Sequence, residues 1–291
     1  MLDISLDLYR VFDSVVRAKS FSEAARRLCV SQPAVSQSIR QLEEALDTRL
    51  FVRGAKGAQL TREGELFSGY ITSAFGLIEA GEQRLSMLNE LSAGELRIGA
   101  SDTVSKRYLL PRIQKFHERY PDVSLSIVNR TSSETVELLC EGGIDIGYVN
   151  LPLEAEGVTF ERCRTVHDVF VAGEQFSSLR GRKVTLAELA ELPLIMLEQA
   201  ANSRRWVDRH FLSRGVVLRP EIELGAHDLL VDYARIGLGV SCVIDEFADI
   251  DACGLFRVEL EPPVPERSIG VCYMEGIELS AAARRFIELE V

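Results

Sequence analysis

Between Phe21 and Leu60 the chain reads FSEAARRLCVSQPAVSQSIRQLEEALDTRLFVRGAKGAQL, and no other stretch limits the possible fold so much. It predicts two short helices joined by a tight turn, followed by a basic hairpin. Ser22 is placed to cap the first helix, with Glu23, Ala24, Ala25 and Leu28 behind it. After a break at Cys29-Val30, Ser31 is placed to cap the second, and Pro33 falls in its first turn, where a missing N–H costs little. Val35, Ile39, Leu42 and Leu46 recur at helical spacing and form a stripe to be buried. Gln32, Pro33, Ser36, Gln37 and Arg40 lie off that stripe, short or hydrogen-bonding and without a bulky apolar group. Such a face suits a major groove, where Gln and Arg read base edges and Ser binds bases or phosphate. A helical hairpin with a merely solvated outer face carries the same pattern.

The segment after the second helix favours a DNA-facing surface. Arg49, Arg53 and Lys56 flank a turn containing Gly54, Ala55 and Gly57, between Leu50-Phe51-Val52 and Gln59-Leu60. That is a short β-ribbon with cationic flanks, able to lie along phosphates or enter a minor groove. The run SQPAVSQSIRQLEEAL followed by LFVRGAKGAQLTREGE resembles the winged helix-turn-helix of LysR-type transcriptional regulators. The resemblance is close through the first domain and the long helix after it, and it agrees in layout beyond. One departure is Asp47, where the family usually has Gly. The resemblance implies DNA contacts from Ser31, Gln32, Pro33, Ser36, Gln37 and Arg40, with Arg53 reaching from the wing. It also implies an interrupted palindrome in promoter DNA as target, RNA polymerase as a partner, and a small-molecule co-inducer rather than a cofactor.

The net charge of −11 runs against a DNA binder until it is divided along the chain. Residues 1–60 carry nine Lys/Arg against seven Asp/Glu, a balance of +2, which leaves −13 for residues 61–291. The acidic remainder is repelled by phosphate, so only the N-terminal module is a credible DNA surface. A module of +2 binds weakly by charge alone, and two or more copies are expected to act together. Met1-Leu2-Asp3 leads directly into an amphipathic segment, Leu6 to Lys19, without an apolar leader, and no apolar run reaches membrane-spanning length. A cytoplasmic location is expected. Six cysteines (Cys29, Cys140, Cys163, Cys242, Cys253, Cys272) show no CxxC or paired His spacing, so no metal is expected and reduced thiols are.

Thr61 is placed to cap a helix running to Leu91, in which Phe67, Ile71, Ala74, Ile78, Gly81, Leu85 and Leu88 step by fours and threes. That spacing suits a helix packed on its own core or the seam of a coiled-coil dimer, with small residues allowing close approach, and in a long element between domains it favours the dimer; family members dimerise there and often form tetramers. Ser92-Ala93-Gly94 ends the helix, and strand-helix alternation from Glu95 onward predicts parallel sheet. The domains expected are a winged helix-turn-helix over 1–60, a linker and dimerisation helix over 61–91, and an effector-binding domain over 92–291. The fold class is therefore all-α winged helix-turn-helix, long linker helix, then a two-lobed α/β domain, which by resemblance is periplasmic-binding-protein-like. Its first lobe is placed at about 92–163 plus 267–291 and its second at about 164–266.

Ligands of open α/β sheets collect at strand carboxyl ends near helix N-termini. The loops in that position carry Ser101, Asp102, Thr103, Arg130, Thr131, Asn150, Asn202, Ser203 and His227, the candidate effector contacts. Each Ser or Thr among them is equally a helix cap or turn residue. Asp102 either caps its helix, is neutralised by Arg130, or meets an amine on the ligand. Two other functions fit the same lobes. An enzyme is disfavoured because the four histidines lack metal spacing and no GxSxG, P-loop or GxGxxG stands where it is needed. A solute-binding receptor has no use for the N-terminal module.

Overall fold

The computed structural model describes residues 4–52, 57–89 and 94–289. Arg53, Gly54, Ala55 and Lys56 of the expected wing, the helix break at Ser92-Ala93, and the side chains of Leu85 and Leu88 lie outside what is described. The chain divides into an N-terminal unit over Met1–Ser86 and a C-terminal unit over most of the rest.

The N-terminal unit begins with α1 (Leu6–Ala18), which ends where Lys19 turns left-handed at φ 51°. α2 (Phe21–Arg27) is capped by Ser20, whose hydroxyl accepts from the Glu23 amide at 3.3 Å. Ser22 therefore lies inside the helix rather than at its cap, because the extended backbone a cap requires falls two residues earlier. α3 (Gln32–Ala45) carries Ser31 at its cap and Pro33 in its first turn. Its Val35, Ile39 and Leu42 are buried against Phe12, Val15, Ala24, Ala25, Leu50 and Phe51. Asp47 closes the helix at φ 48°, the conformation for which Gly is usual and which Asp tolerates better than most residues.

α4 (Arg62–Asn89) starts at Thr61, whose hydroxyl accepts from the Gly64 amide at 3.0 Å. Phe67 and Ile71 pack onto the unit's own core, Phe67 lying 5.4 Å from Phe12 between ring centroids. Both are half-buried there. The row left exposed is Leu66, Tyr70, Ala74 and Ile78, one residue round the helix at its start.

The C-terminal unit contains two mixed sheets. The chain runs through β1 (Glu95–Ala100), α5 (Asp102–Val104), a π-helical turn (Ser105–Leu109), α6 (Leu110–Arg119), β2 (Ser124–Asn129), α7 (Ser132–Cys140), β3 (Ile146–Leu151) and β4 (Val158–Val166). It then crosses at His167 into the second lobe: β5 (Asp168–Ala172), β6 (Lys183–Thr185), α8 (Leu186–Ala190), β7 (Leu194–Leu197), α9 (Asn202–Leu212), β8 (Ile222–Leu224), α10 (His227–Arg235), β9 (Val240–Ile244) and β10 (Phe256–Glu261). It returns through residues 262–266 to β11 (Arg267–Met274) and α11 (Ala281–Ile287), which complete the first lobe.

The first sheet has the order β2-β1-β3-β11-β4 and the second β6-β10-β5-β9-β7-β8. β1, β2 and β3 are parallel, as helical crossovers dictate. β11 is antiparallel to both its neighbours, and so is β5. The expectation of purely parallel sheets fails there because each of these strands enters from the other lobe. β4 also runs to Val166, past the expected lobe boundary at 163. Gly99 and Gly147 lack the Cβ that would strike the Thr135 methyl at 2.9 and 2.6 Å, so α7 settles close on β1 and β3.

Candidate functional site

Two surfaces carry the residues singled out from sequence. On α3, burial of Val35, Ile39 and Leu42 turns the opposite arc outward. Ser31, Gln32, Pro33, Gln37 and Arg40 are exposed and Ser36 is half-buried. Ser31 accepts from the Ala34 amide at 3.4 Å, and Gln32 donates to the Ser36 hydroxyl at 3.4 Å. Gln37 and Arg40 have no side-chain partner among the described residues. Long donors unengaged by the protein, raised on a rigid helix above a filled core, are what base-edge recognition requires.

The start of the wing is fixed by a residue that sequence reading passed over. Glu43 is buried at the far end of α3, and its Oε1 accepts from the Leu50 and Phe51 amides at 2.8 and 3.2 Å. Its Oε2 accepts from Arg49 at 2.8 Å. One carboxylate thus ties the ribbon to the helix. The ribbon pairs Phe51 with Leu60, and Val52 donates to the Gln59 carbonyl at 2.8 Å.

In the C-terminal unit a cleft of about 290 Å³ opens between the lobes. Eight of the nine expected effector residues line it: Ser101, Asp102, Thr103, Arg130, Thr131, Asn150, Asn202 and Ser203. Several are engaged by the protein. The Thr131 hydroxyl donates to Glu134 at 2.7 Å, a contact that with the Thr131 amide holds the Glu134 carboxyl below its usual range. Asn202 donates across the lobes to the carbonyls of Asn150 and Pro152, and is a tie rather than a free group. Arg130 donates to the Asn129 carbonyl at 2.8 Å and does not pair with Asp102.

His227 is the exception. It is 3% exposed, faces inward, and accepts at Nε2 from the Ile244 amide at 2.9 Å, so it is not on the cleft wall. It lines instead a void of about 10 Å³ with Asp168, Ser203, Arg204 and Cys242, room for roughly one water. Burial drives its pKa down to about 4 and keeps the ring neutral.

Two family descriptions match, "Bacterial regulatory helix-turn-helix protein, lysR family" over residues 6–65 and "LysR substrate binding domain" over residues 89–289. The chain belongs to the LysR family of transcriptional regulators. It is 29% identical over 290 residues to a RuBisCO operon transcriptional regulator of Allochromatium vinosum, covering 99% of this chain and 95% of that protein. The transcriptional activator CmpR of Synechocystis sp. is 23% identical, with 99% and 95% covered. Among solved structures, CbnR in complex with its target DNA shares the fold at a TM-score of 0.62 and 20% identity, covering 98% of each chain. HinK from Pseudomonas aeruginosa does so at 0.59 and 22%, covering 98% of this chain and 97% of that one. The LysR regulator is thus a helix-turn-helix protein with a two-lobed α/β substrate-binding domain, and family members regulate transcription rather than catalyse. Among the described residues, no helix is long and apolar enough to cross a membrane.

The regulator's cleft floor rests on a second residue not singled out from sequence. Arg267, its side chain fully buried at the start of β11, donates to both Asp168 oxygens at 2.6 and 2.9 Å and to Asn150 Oδ1 at 2.6 Å. It therefore joins the two chain crossings to a residue that lines the cleft. Beside it, His167 is held by Glu246 at 2.5 Å, which raises the imidazole pKa. A third connection between the lobes is Asp228 on α10, which takes Lys106 and, at 3.2 Å, Arg107; the Lys106 contact is the larger cause of its lowered pKa. Arg204, buried in the first turn of α9, donates to the Leu197 carbonyl and to Glu223 at 2.7 and 2.8 Å. That fixes the helix end that faces the cleft.

Proposed function

We propose that this regulator reads a specific duplex sequence with the outward face of α3 and that a small molecule held in the interlobe cleft sets its activity. The observation that carries the reading is the exposed, unengaged pair Gln37 and Arg40, one helical turn apart on a surface whose reverse side is core. Ser31, Gln32, Pro33 and Ser36 supply short groups around them for phosphate and base contact, and Arg53 completes the contact from the wing. A balance of only +2 over residues 1–60 makes one module a weak electrolyte partner for DNA. Pairing two copies along the exposed Leu66, Tyr70, Ala74 and Ile78 row of α4 supplies a second recognition helix for the other half of an interrupted palindrome. A further pairing of dimers gives the tetramer, RNA polymerase is the partner at the promoter, and the cytoplasm is where these meet.

Effector control arises at the crossings at His167 and 262–266. Closing the lobes on a ligand that prefers the closed cleft shifts the population toward that state. The test is retention of a promoter fragment by the purified full chain at rising salt. Specific DNA stays bound after random duplex of equal length is released. Release of both at the same salt concentration contradicts the reading.

A further inference from the structure

The cleft lining is chemically asymmetric, and that asymmetry specifies a ligand class. On the second lobe, α9 begins at Ala201 without a side-chain cap and without an acid in its first turn. Its leading amides therefore face the cleft uncompensated, a setting that favours an anion. Ser203 stands in that turn, 7% exposed, and its hydroxyl has no partner among the described residues although it lines the cleft.

Asn150, near the end of β3 on the first lobe, adds a third donor. It is 7% exposed, its amide donates to Ser132 at 3.0 Å, and its carbonyl is held by Asn202 in the same first turn of α9. Arg267 fixes which way the side-chain amide points. A guanidinium can only donate, so the atom facing it is Oδ1 and the remaining Nδ2 is the group left for a ligand. Arg267 is thus a positioning residue for this donor.

The first lobe also bears a carboxylate. Asp102 lines the cleft, is exposed, and makes no ion pair among the described residues. Arg130, the other charged residue in the lining, is turned to the Asn129 carbonyl instead. Ser203 and the α9 end on the second lobe, Asn150 beside that end, and the lone Asp102 carboxylate on the first lobe complement a molecule with an anionic and a cationic end.

Resting on the proposal that the cleft is the effector site, we infer that it binds an α-amino acid, its carboxylate on the α9 first turn, Ser203 and Asn150, and its ammonium on Asp102. The test uses thermal shift and titration calorimetry on the full chain. Probes are the twenty protein amino acids, each with its des-amino carboxylic acid and its decarboxylated amine. At least one amino acid is expected to bind about tenfold or more tightly than both truncated analogues, since each removes a charge-assisted hydrogen bond. Asp102→Asn collapses the preference over the des-amino acid, and Ser203→Ala weakens the amino acid several-fold. Two results overturn the inference: no amino acid binds, or a des-amino acid binds as tightly as its parent. If that des-amino acid is weakened by Ser203→Ala, the cleft remains the effector site and only the amino-acid assignment falls. If ligands bind but neither substitution changes any affinity, the cleft reading falls with it.

Discussion

Replacing Glu43 by Ala removes one carboxylate that serves three donors, and the cost is calculable. The Leu50 and Phe51 amides lie 2.8 and 3.2 Å from Oε1, and both residues are core, 1% and 7% exposed. Neither amide reaches water without the ribbon leaving α3. A hydrogen bond to a charged acceptor contributes about 1.5–3 kcal/mol, so the two together contribute about 3–6 kcal/mol. The Arg49 contact adds little, because that side chain is 54% exposed and its pairing is screened. Phe51 packs against Phe12 and Phe21 at 5.6 and 5.2 Å, so displacing the ribbon also opens the aromatic core. Hydrogen exchange on the full chain isolates the effect. Amides over residues 46–52 are expected to exchange about 10²–10⁴-fold faster in Glu43→Ala, up to the limit set by unfolding of the whole unit. Glu43→Gln, which keeps an acceptor without the charge, falls between. Glu44→Ala, an exposed neighbour, changes exchange by less than about threefold. If Glu43→Ala and Glu44→Ala exchange alike, the ribbon is held by something else.

Asp168→Asn leaves the Arg267 guanidinium buried beside a neutral partner and is expected to destabilise the C-terminal unit by about 3–5 kcal/mol, measured by chemical denaturation followed through Trp206. His227 titrates near 6.5 when unfolded and at about 4 when folded, so the unfolded chain takes up the proton first. Its contribution is full above pH 6.5 and is lost as pH falls toward 4, by about 3 kcal/mol; His227→Gln removes that slope. His167, raised chiefly by its hydrogen bond to Glu246, acts in the opposite sense, its contribution present below 6.5 and lost as pH rises through its folded value. Tyr70→Glu combined with Ile78→Glu, on the exposed row of α4, yields a smaller species in sedimentation velocity with the fold intact.

The helix-turn-helix was legible because its information is local: Val35, Ile39 and Leu42 repeat at one helical period, and caps and turns lie beside the segments they bound. Glu43 was within reach of the same reasoning. It lies four residues after Ile39, on the buried arc, but an acid beside Glu44 reads as part of a solvated face. Spacing alone also could not say what covers Phe67 and Ile71, since a stripe that packs on its own domain and one that packs on another chain have the same period. Arg267 and the reversed strands β5 and β11 depend on partners far away in sequence. Arg267 meets Asp168 across 99 residues, and strand direction is set by which lobe the chain arrives from. The cleft loops were found from the rule that ligands gather at strand ends, whereas the inward turn of His227 depends on an Ile244 amide seventeen residues on.

The most direct test of sequence reading by α3 is the effect of Arg40→Ala on binding to a promoter site and to random duplex at one fixed salt concentration. Removing a base-reading guanidinium is expected to cost about 1–3 kcal/mol on the specific site and to relax preference at one base pair, with random binding reduced far less. Equal losses on both would mean that Arg40 contacts only the phosphate backbone, and the outward face of α3 would not be the element that reads sequence.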